Sequence, residues 1–187
     1  MRVVELTAET WPLLEELFGP NGAQSGCWCT WFLQTNAQMR DNGSAGNKEL
    51  LRARVRSEAP VGLIAVDDDE RPVGWVAVAP RLSYSRLART KVAAPVDDDL
   101  TDVWSVVCFF IHRTARRQGL GAVLLEHAVR FAREHGARSV EGYPVDTGGG
   151  KKGSGDLYHG TLSMFTDAGF DVVERRGTNR ALVRLVP

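Results

Sequence analysis

The sequence lacks the features that would place the protein in a membrane or among disulfide-rich secreted proteins. No window approaches the roughly 18 apolar residues that a membrane-spanning helix needs, and Met1 to Leu6 shows no apolar signal-peptide core. Only three cysteines occur, an odd number, and Cys27 and Cys29 are separated by one residue. This count does not indicate a disulfide framework. We therefore expect a cytoplasmic protein with no membrane partner.

An excess of either charge is also absent. Lysine and arginine together number 23, as do aspartate and glutamate, so the formal net charge is zero. No global field attracts the chain to nucleic acid, and its partners must be recognised at local sites. The 187 residues show no internal repeat and suffice for one sizeable core. We expect a single domain over residues 1–187.

One long apolar run, which leads into a basic turn with glycines, is the strongest pattern present. Residues 103–111 are almost wholly apolar and rich in β-branched and aromatic side chains, which is typical of a strand buried on both faces. The turn at 113–121 reads RTARRQGLG, and helical periodicity follows over 119–135. Such a turn aims several backbone N–H groups at one point. The sequence predicts an anion site there.

The remaining patterns predict an α/β fold. Further strands are expected at 2–6, 61–66, 72–79, 139–145, 170–174 and 180–186. Further helices are expected at 47–59, at 158–168 and from a cap at Thr7 or Thr10 to about Phe18. Segment 19–46 is predicted to be irregular, either functional or partly helical, and 81–102 to be a long connection that lines a site. The glycine-rich segment 146–155 predicts a mobile loop.

The basic turn matches neither of two common phosphate-binding motifs, because it lacks the third glycine of a dinucleotide fingerprint and the Gly-Lys-Ser/Thr ending of a P-loop is missing. Arg116, Gly119 and Gly121 instead fill the pattern Gln/Arg-x-x-Gly-x-Gly/Ala. With this motif the chain resembles the GNAT (Gcn5-related) N-acetyltransferases. The resemblance extends over roughly residues 60–187, where strand, turn, helix, strand, a short helix ending in Ala168-Gly169-Phe170, and a terminal strand pair follow the family's order.

The resemblance implies a GNAT-type α/β fold, with a mixed central β-sheet flanked by helices, and acetyl-CoA as co-substrate. An acetyl group would pass to a primary amine by direct attack, and a homodimer is possible because family members are commonly dimers. The CoA pyrophosphate would bind at the turn, where glycines permit close approach and a helix N-terminus favours an anion. The residues expected to hold its phosphates are Arg116, Arg117, Gln118, Gly119, Leu120, Gly121 and Ala122. Main-chain groups of Phe109, Phe110 and Ile111 would bind the pantetheine arm.

The sequence leaves several candidates for the general acid that protonates the departing thiolate. Matching Ala168-Gly169-Phe170 to the family places Phe165 where the family often has a tyrosine acid, and phenylalanine has no proton to donate. Tyr158 is the favoured substitute, because on a helix it would precede Phe165 by two turns and share its face. His159, Ser163 or a water molecule are the alternatives.

The sequence also leaves more than one candidate for the general base. Glu141, on the strand after the long helix, is the candidate, and its competing interpretation is an ordinary solvent-facing glutamate. Asp102, at the edge of the central strand, is the alternative, although a turn residue is the simpler interpretation.

The segment Cys27–Phe32, CWCTWF, allows three roles. The first role is to fill the core. The second is to form an apolar or cation-π wall for the acceptor amine, with Trp28, Trp31 and the more distant Tyr84. The third is to bind a metal, although two thiols one residue apart with no histidine nearby are a poor set of zinc ligands. We predict no metal and a small-molecule amine as acceptor. Two other functions stay open, a non-catalytic acyl-CoA-binding regulatory module and the transfer of a longer acyl group.

Overall fold

A computed structural model describes residues 1–150, 153 and 157–186. Within this part of the chain, one sheet of seven strands is flanked by four α-helices. The strands are β1 (Arg2–Glu5), β2 (Gly62–Val66), β3 (Pro72–Pro80), β4 (Val103–Ile111), β5 (Ser139–Gly142), β6 (Asp171–Arg176) and β7 (Arg180–Leu185). The helices are α1 (Trp11–Phe18), α2 (Asn36–Arg56), α3 (Leu120–Glu134) and α4 (Leu162–Asp167).

The sheet is mixed, as predicted. Its strand order is β1-β2-β3-β4-β5-β7-β6, and β4 and β5 form its parallel pair, joined through α3. The other neighbouring strands are antiparallel. Apolar side chains of α3 recur at helical spacing and are buried against one face of the sheet, at Leu120, Leu124, Ala128 and Phe131. Helix α1 and the segment around Cys29 cover the other face. No helix in the described ranges combines the length and apolar character needed to cross a bilayer.

Helix α2 begins at Asn36, earlier than the expected start at 47. Thr35 and Gln38 form a capping box, in which each side chain bonds the other residue's backbone N–H, and this stabilises a helix start that apolar periodicity does not reveal. Gly43, with φ of 58°, kinks the helix. Segment 19–46 is therefore partly helical.

Helix α4 is shorter than the prediction of 158–168. Gly160 adopts φ of 77°, and the Thr161 hydroxyl accepts the Met164 N–H as the N-cap, so the helix begins at Leu162. Tyr158 and His159 lie in the turn before it. The placement of Tyr158 on one helix face with Phe165 is therefore wrong. The predicted loop 146–155 lies in part outside the described residues.

Strand β4 carries the irregularity that creates the site. Ala77 of β3 pairs with Cys108 and Val78 pairs with Val106, so Val107 is an extra residue, a β-bulge. On its other side β4 pairs with β5 only as far as Val106. The two parallel strands then separate, and Tyr158 to Thr161 lie in the gap between β4 and Val145.

Candidate active site

The basic turn after β4 is built as a helix N-terminus. Gly119 is the N-cap of α3 with φ of 77°, a left-handed conformation that suits glycine. Arg117 also has a positive φ, 63°, and the Arg116 Nε donates to the Ile111 carbonyl at 3.0 Å. The first N–H groups of α3 have no intrahelical acceptor and carry the positive end of the helix dipole. This geometry fits a bound phosphate.

One predicted phosphate contact needs correction. The Ala122 N–H already donates to the Gly119 carbonyl at 3.0 Å, so it is not a free donor. The Gln118 side chain bonds the Thr114 carbonyl and the Leu120 side chain is buried in the core, so these residues can offer a phosphate their backbone N–H groups only. Gly121 is also needed for packing, because an added Cβ would lie 3.0 Å from the Met164 sulfur. The phosphate contacts that the turn can offer are the backbone N–H groups of Gln118 to Gly121 and the arginines.

A groove of about 750 Å³ leads from the turn along β4. Residues of β4 and of the basic turn line it: Phe109, Phe110, Ile111, Arg116 and Arg117. Residues from two other segments line it as well: Ala23, Gln24, Gly153, Leu157 and Tyr158. The groove therefore joins the basic turn to the free edge of the central strand.

The main chain of β4 is available to a ligand only in part. The Phe109 N–H donates to the Tyr158 carbonyl at 2.6 Å, so a pantetheine arm would have to replace that bond to use it. Phe110 pairs with Trp75 of β3, and strand alternation directs its main-chain groups to β3. Phe110 contributes its half-buried ring rather than its backbone, which corrects the prediction for this residue.

A second cavity, of about 370 Å³, opens from the groove. The two share Ala23, Gln24, Phe109, Phe110 and Tyr158, so they form one continuous space. We call the second cavity the acceptor pocket, lined by those five residues and by Ser25, Cys27, Cys29, Trp31, Phe32, Met39 and Cys108. A thioester extending along the groove would reach the mouth of this pocket beside Tyr158.

Tyr158 lies at the junction of the two cavities although it is not helical. Burial raises the pKa of its phenol, while the nearby Arg180 guanidinium acts in the opposite direction. The phenol is therefore protonated at neutral pH and can donate a proton.

Neither alternative acid has this position. His159 is buried, and burial with Arg180 nearby lowers its pKa to about 3, so it is neutral. Ser163 is exposed on α4. Phe165 is fully buried and packs edge-to-face on Phe170, so its position belongs to the core.

Glu141 is a structural ion-pair partner and not a solvent-facing glutamate. It is fully buried, and its carboxylate oxygens lie 2.6 Å from Arg81 Nη1 and 2.8 Å from Arg184 Nη2. It lines neither cavity. It pairs with Ser105 of β4, which comes three residues before the pocket residue Cys108. The interpretation as general base is therefore not supported. Asp102 is an exposed turn residue with φ of 56°.

The three aromatic residues predicted for the acceptor wall have different positions. Trp31 lines the acceptor pocket, is 39% exposed, and stacks under the Arg86 guanidinium at 3.8 Å. Trp28 is buried against Trp11 and Phe18, so it is a core residue. Tyr84 is buried too, away from the pocket, which corrects that prediction.

Sequence reasoning missed the thiol cluster in the acceptor pocket. The sulfur atoms of Cys29 and Cys108 lie 3.4 Å apart, and Cys27 lines the same pocket. The nearby Cys29 thiol and backbone N–H groups lower the pKa of Cys27 to about 6. All three cysteines are free, and the described residues contain no group of three side chains suited to a metal ion.

The sequence was compared with models of known protein families. The acetyltransferase (GNAT) family model matches residues 28–147, which is more than half of the chain. The chain belongs to the GNAT acetyltransferase family. No curated protein sequence gives a significant match.

Solved structures with the same fold are distant in sequence. The chain is similar to a ribosomal-protein-alanine N-acetyltransferase from Brucella melitensis, with 14% identity, 100% of both chains covered and a TM-score of 0.58. It is also similar to the PaiA N-acetyltransferase from Thermoplasma acidophilum in complex with coenzyme A, with 14% identity, 100% of this chain and 98% of that one covered, and a TM-score of 0.56. An aminoglycoside 6'-acetyltransferase type Ii gives 13% identity, coverage of 100% and 97%, and a TM-score of 0.58. These likenesses establish the fold.

Proposed function

We propose that this GNAT protein transfers an acetyl group from acetyl-CoA to the primary amine of a small, largely apolar molecule by direct attack. The observation that carries the proposal is the continuity of the groove with the acceptor pocket. Its basic turn suits a pyrophosphate, and its far end opens into a cavity large enough for a small molecule. The PaiA structure, which has this fold, holds coenzyme A.

The chemistry follows from the residues at the junction. The lone pair of the amine forms a bond to the acetyl carbonyl carbon, and the carbon–sulfur bond of the thioester breaks. The departing CoA thiolate needs a proton, which the protonated phenol of Tyr158, a lining residue of both cavities, can supply. The new amide nitrogen releases one proton to solvent, and the Tyr158 phenolate takes one back from solvent. In this role Tyr158 takes the place of the family's tyrosine acid, since the phenylalanine at position 165 has no proton to donate.

The acceptor pocket defines the class of amine. Among the described residues that line it there is no carboxylate and no cationic side chain, and large apolar side chains are present at Trp31, Phe32, Met39 and Phe110. A polycationic acceptor would lose the hydration of several ammonium groups there without a carboxylate to pair with any of them. We therefore expect an amine on an aromatic or aliphatic body, with arylalkylamines as the first compounds to test.

The apolar pocket also favours one alternative, the transfer of a longer acyl group, because an acyl chain could occupy the same space. A non-catalytic acyl-CoA-binding module has less support, since Tyr158 lines both cavities and can supply the proton that Phe165 lacks.

Calorimetric titration with CoA, acetyl-CoA and longer acyl-CoAs tests the cofactor, and thiol release across a panel of amines tests the reaction. We expect acetyl-CoA to bind and an arylalkylamine to release CoA faster than an aminoglycoside does. No binding of any acyl-CoA would refute the proposal. Tight binding without thiol release would favour the regulatory module, and faster release with longer acyl-CoAs would favour the alternative transfer.

A further inference from the structure

We propose that the Cys27 sulfur is the general base of the reaction and removes the proton from the acceptor ammonium group. This inference rests on the proposed amine acetylation. It assigns a catalytic residue where the pattern of the sequence suggested Glu141, which the structure places in a buried ion pair.

The composition of the acceptor pocket leaves few candidates for a base. Of the described side chains that line it, those that titrate are the three thiols of Cys27, Cys29 and Cys108 and the phenol of Tyr158. Tyr158 holds its proton at neutral pH because burial raises its pKa. Cys29 also stays protonated, since it is fully buried beside two other sulfurs and its pKa is raised.

Cys27 differs from Cys29 in its surroundings. It is only partly buried, and the Cys29 thiol and backbone N–H groups of its own loop are near enough to its sulfur to favour the thiolate. These donors stabilise the charged sulfur and lower the pKa of Cys27 to about 6. A group with a pKa slightly below neutrality is deprotonated at pH 7 and still binds a proton well.

The loop that carries Cys27 is held in a strained form. Ser25, Trp28 and Cys29 have positive φ values of 52°, 45° and 52°, which are costly for residues with a Cβ. Such strain persists where the surroundings fix the backbone, and it is concentrated here beside the acceptor pocket.

A buried polar network fixes this backbone. The Asn47 side chain donates to the Gly26 carbonyl at 2.9 Å, and the Thr30 hydroxyl donates to the Cys27 carbonyl at 2.8 Å. Gln34 Nε2 donates to both, at 2.7 Å from Asn47 Oδ1 and 2.8 Å from Thr30 Oγ1. Buried polar groups that are fully bonded rigidify a segment. The network therefore fixes the backbone on either side of Cys27, a residue that lines the pocket.

The proton balance is simple. The Cys27 thiolate and the acceptor ammonium become a thiol and a neutral amine, and this amine attacks the thioester as described above. No redox partner is required. Cys27 returns its proton to solvent after the products leave.

The first test uses acetyl transfer to the best amine of the panel as a function of pH. In the wild-type protein, kcat/KM is expected to rise with pH through about 6 and then to level off. Cys27→Ser should lower kcat at pH 7 by about 100-fold and abolish this rise, with little change in acetyl-CoA affinity. Cys27→Asp should restore part of the rate and move the rise to lower pH, because a carboxylate is a weaker base.

The second test follows the thiol itself. The rate of Cys27 alkylation by iodoacetamide, located by peptide mass spectrometry, should show a midpoint near pH 6. Cys29→Ala removes a hydrogen-bond donor and should shift both this midpoint and the rise in kcat/KM to higher pH. Circular dichroism and thermal unfolding establish that each variant is folded.

The outcomes separate this inference from the proposed function. Acetyl transfer that is unaltered in folded Cys27→Ser, or an alkylation midpoint at an ordinary thiol pKa, would overturn the role of Cys27 alone. An acetyl group found on Cys27 after incubation with acetyl-CoA would also overturn it and would make Cys27 a nucleophile. Failure of wild-type protein to acetylate any amine would instead refute the proposed function and the role of Cys27 with it.

Discussion

The backbone N–H of Phe109 donates a hydrogen bond to the carbonyl oxygen of Tyr158 over 2.6 Å, across the gap between β4 and β5. This bond attaches the turn before α4 to the free edge of the central strand. The phenol of Tyr158 thus has a defined place between the groove and the acceptor pocket, even though the residue belongs to no helix or strand.

Replacement of Tyr158 by phenylalanine should lower turnover while acetyl-CoA affinity stays nearly unchanged, because the ring remains and only the proton donor is lost. Burial raises the pKa of this phenol, so its protonated, active form persists into alkaline pH and activity should fall only there. Steady-state rates against pH, with calorimetry for acetyl-CoA, measure both effects. Unchanged turnover would remove Tyr158 as the acid.

Gly119 and Gly136 form a matched pair for testing the basic turn. Both have positive φ, 77° and 81°, and at both an added Cβ would meet no atom within 4 Å. Alanine at either site should cost about 1–2 kcal/mol of stability through backbone strain. Only Gly119→Ala should also weaken CoA binding, by about tenfold or ~1.4 kcal/mol, because Gly119 lies at the start of α3. Equal CoA affinities of the two variants would count against a phosphate site at this turn.

Substitution of Glu141 by glutamine should act on stability and not on the chemical step. It leaves the buried Arg81 guanidinium without its carboxylate, and breaking such a pair costs about 3 kcal/mol or more. Asp97→Asn is the control, since this more exposed carboxylate also pairs with Arg184 and should contribute less than about 1 kcal/mol. Urea unfolding and kcat at low temperature separate the two effects. A large loss of kcat without a loss of stability would return Glu141 to the catalytic residues.

His159 should make the folded protein sensitive to acid. Its pKa is about 3 in the folded state against 6.5 ordinarily, so only the unfolded chain binds this proton between these values. The buried neutral histidine therefore costs no stability above pH 6.5. As the pH falls below that value the free energy of unfolding decreases, by about 2 kcal/mol at pH 5. His159→Phe should reduce the difference between unfolding free energies at pH 7 and pH 5 by this amount. An identical pH dependence in the variant would show that the histidine is not buried as neutral imidazole.

Two tryptophans near the start of the chain should give opposite results when replaced by alanine. Trp31→Ala is expected to raise KM for the acceptor with little change in stability, because the side chain is partly exposed and lines the pocket. Trp28→Ala should cost about 3–5 kcal/mol of stability, because the ring is buried against Trp11 and Phe18. Thermal unfolding and acceptor kinetics distinguish them. An unchanged KM in Trp31→Ala would place the acceptor elsewhere.

Local patterns were sufficient for much of the fold. The strand at Val103–Ile111 was predicted with the observed bounds, and α3 differs by one residue at each end. Helix α2 was predicted only in its second half, because its first half is polar and depends on the Thr35 cap. Tyr158 was placed on a helix because the sequence does not show that Gly160 would adopt a left-handed conformation.

The β4–turn–α3 unit and the GNAT resemblance could be predicted from the sequence, since both depend on residues close together in the chain, whose apolar periodicity and glycine positions dictate local structure. Which side chains share the acceptor pocket depends instead on the folding of distant segments against one another. Cys29 and Cys108 are 79 residues apart in the chain, and their contact exists because the loop after α1 packs over the bulge of β4. The burial of Glu141 between Arg81 and Arg184 likewise depends on segments distant in sequence, which no local pattern can bring together.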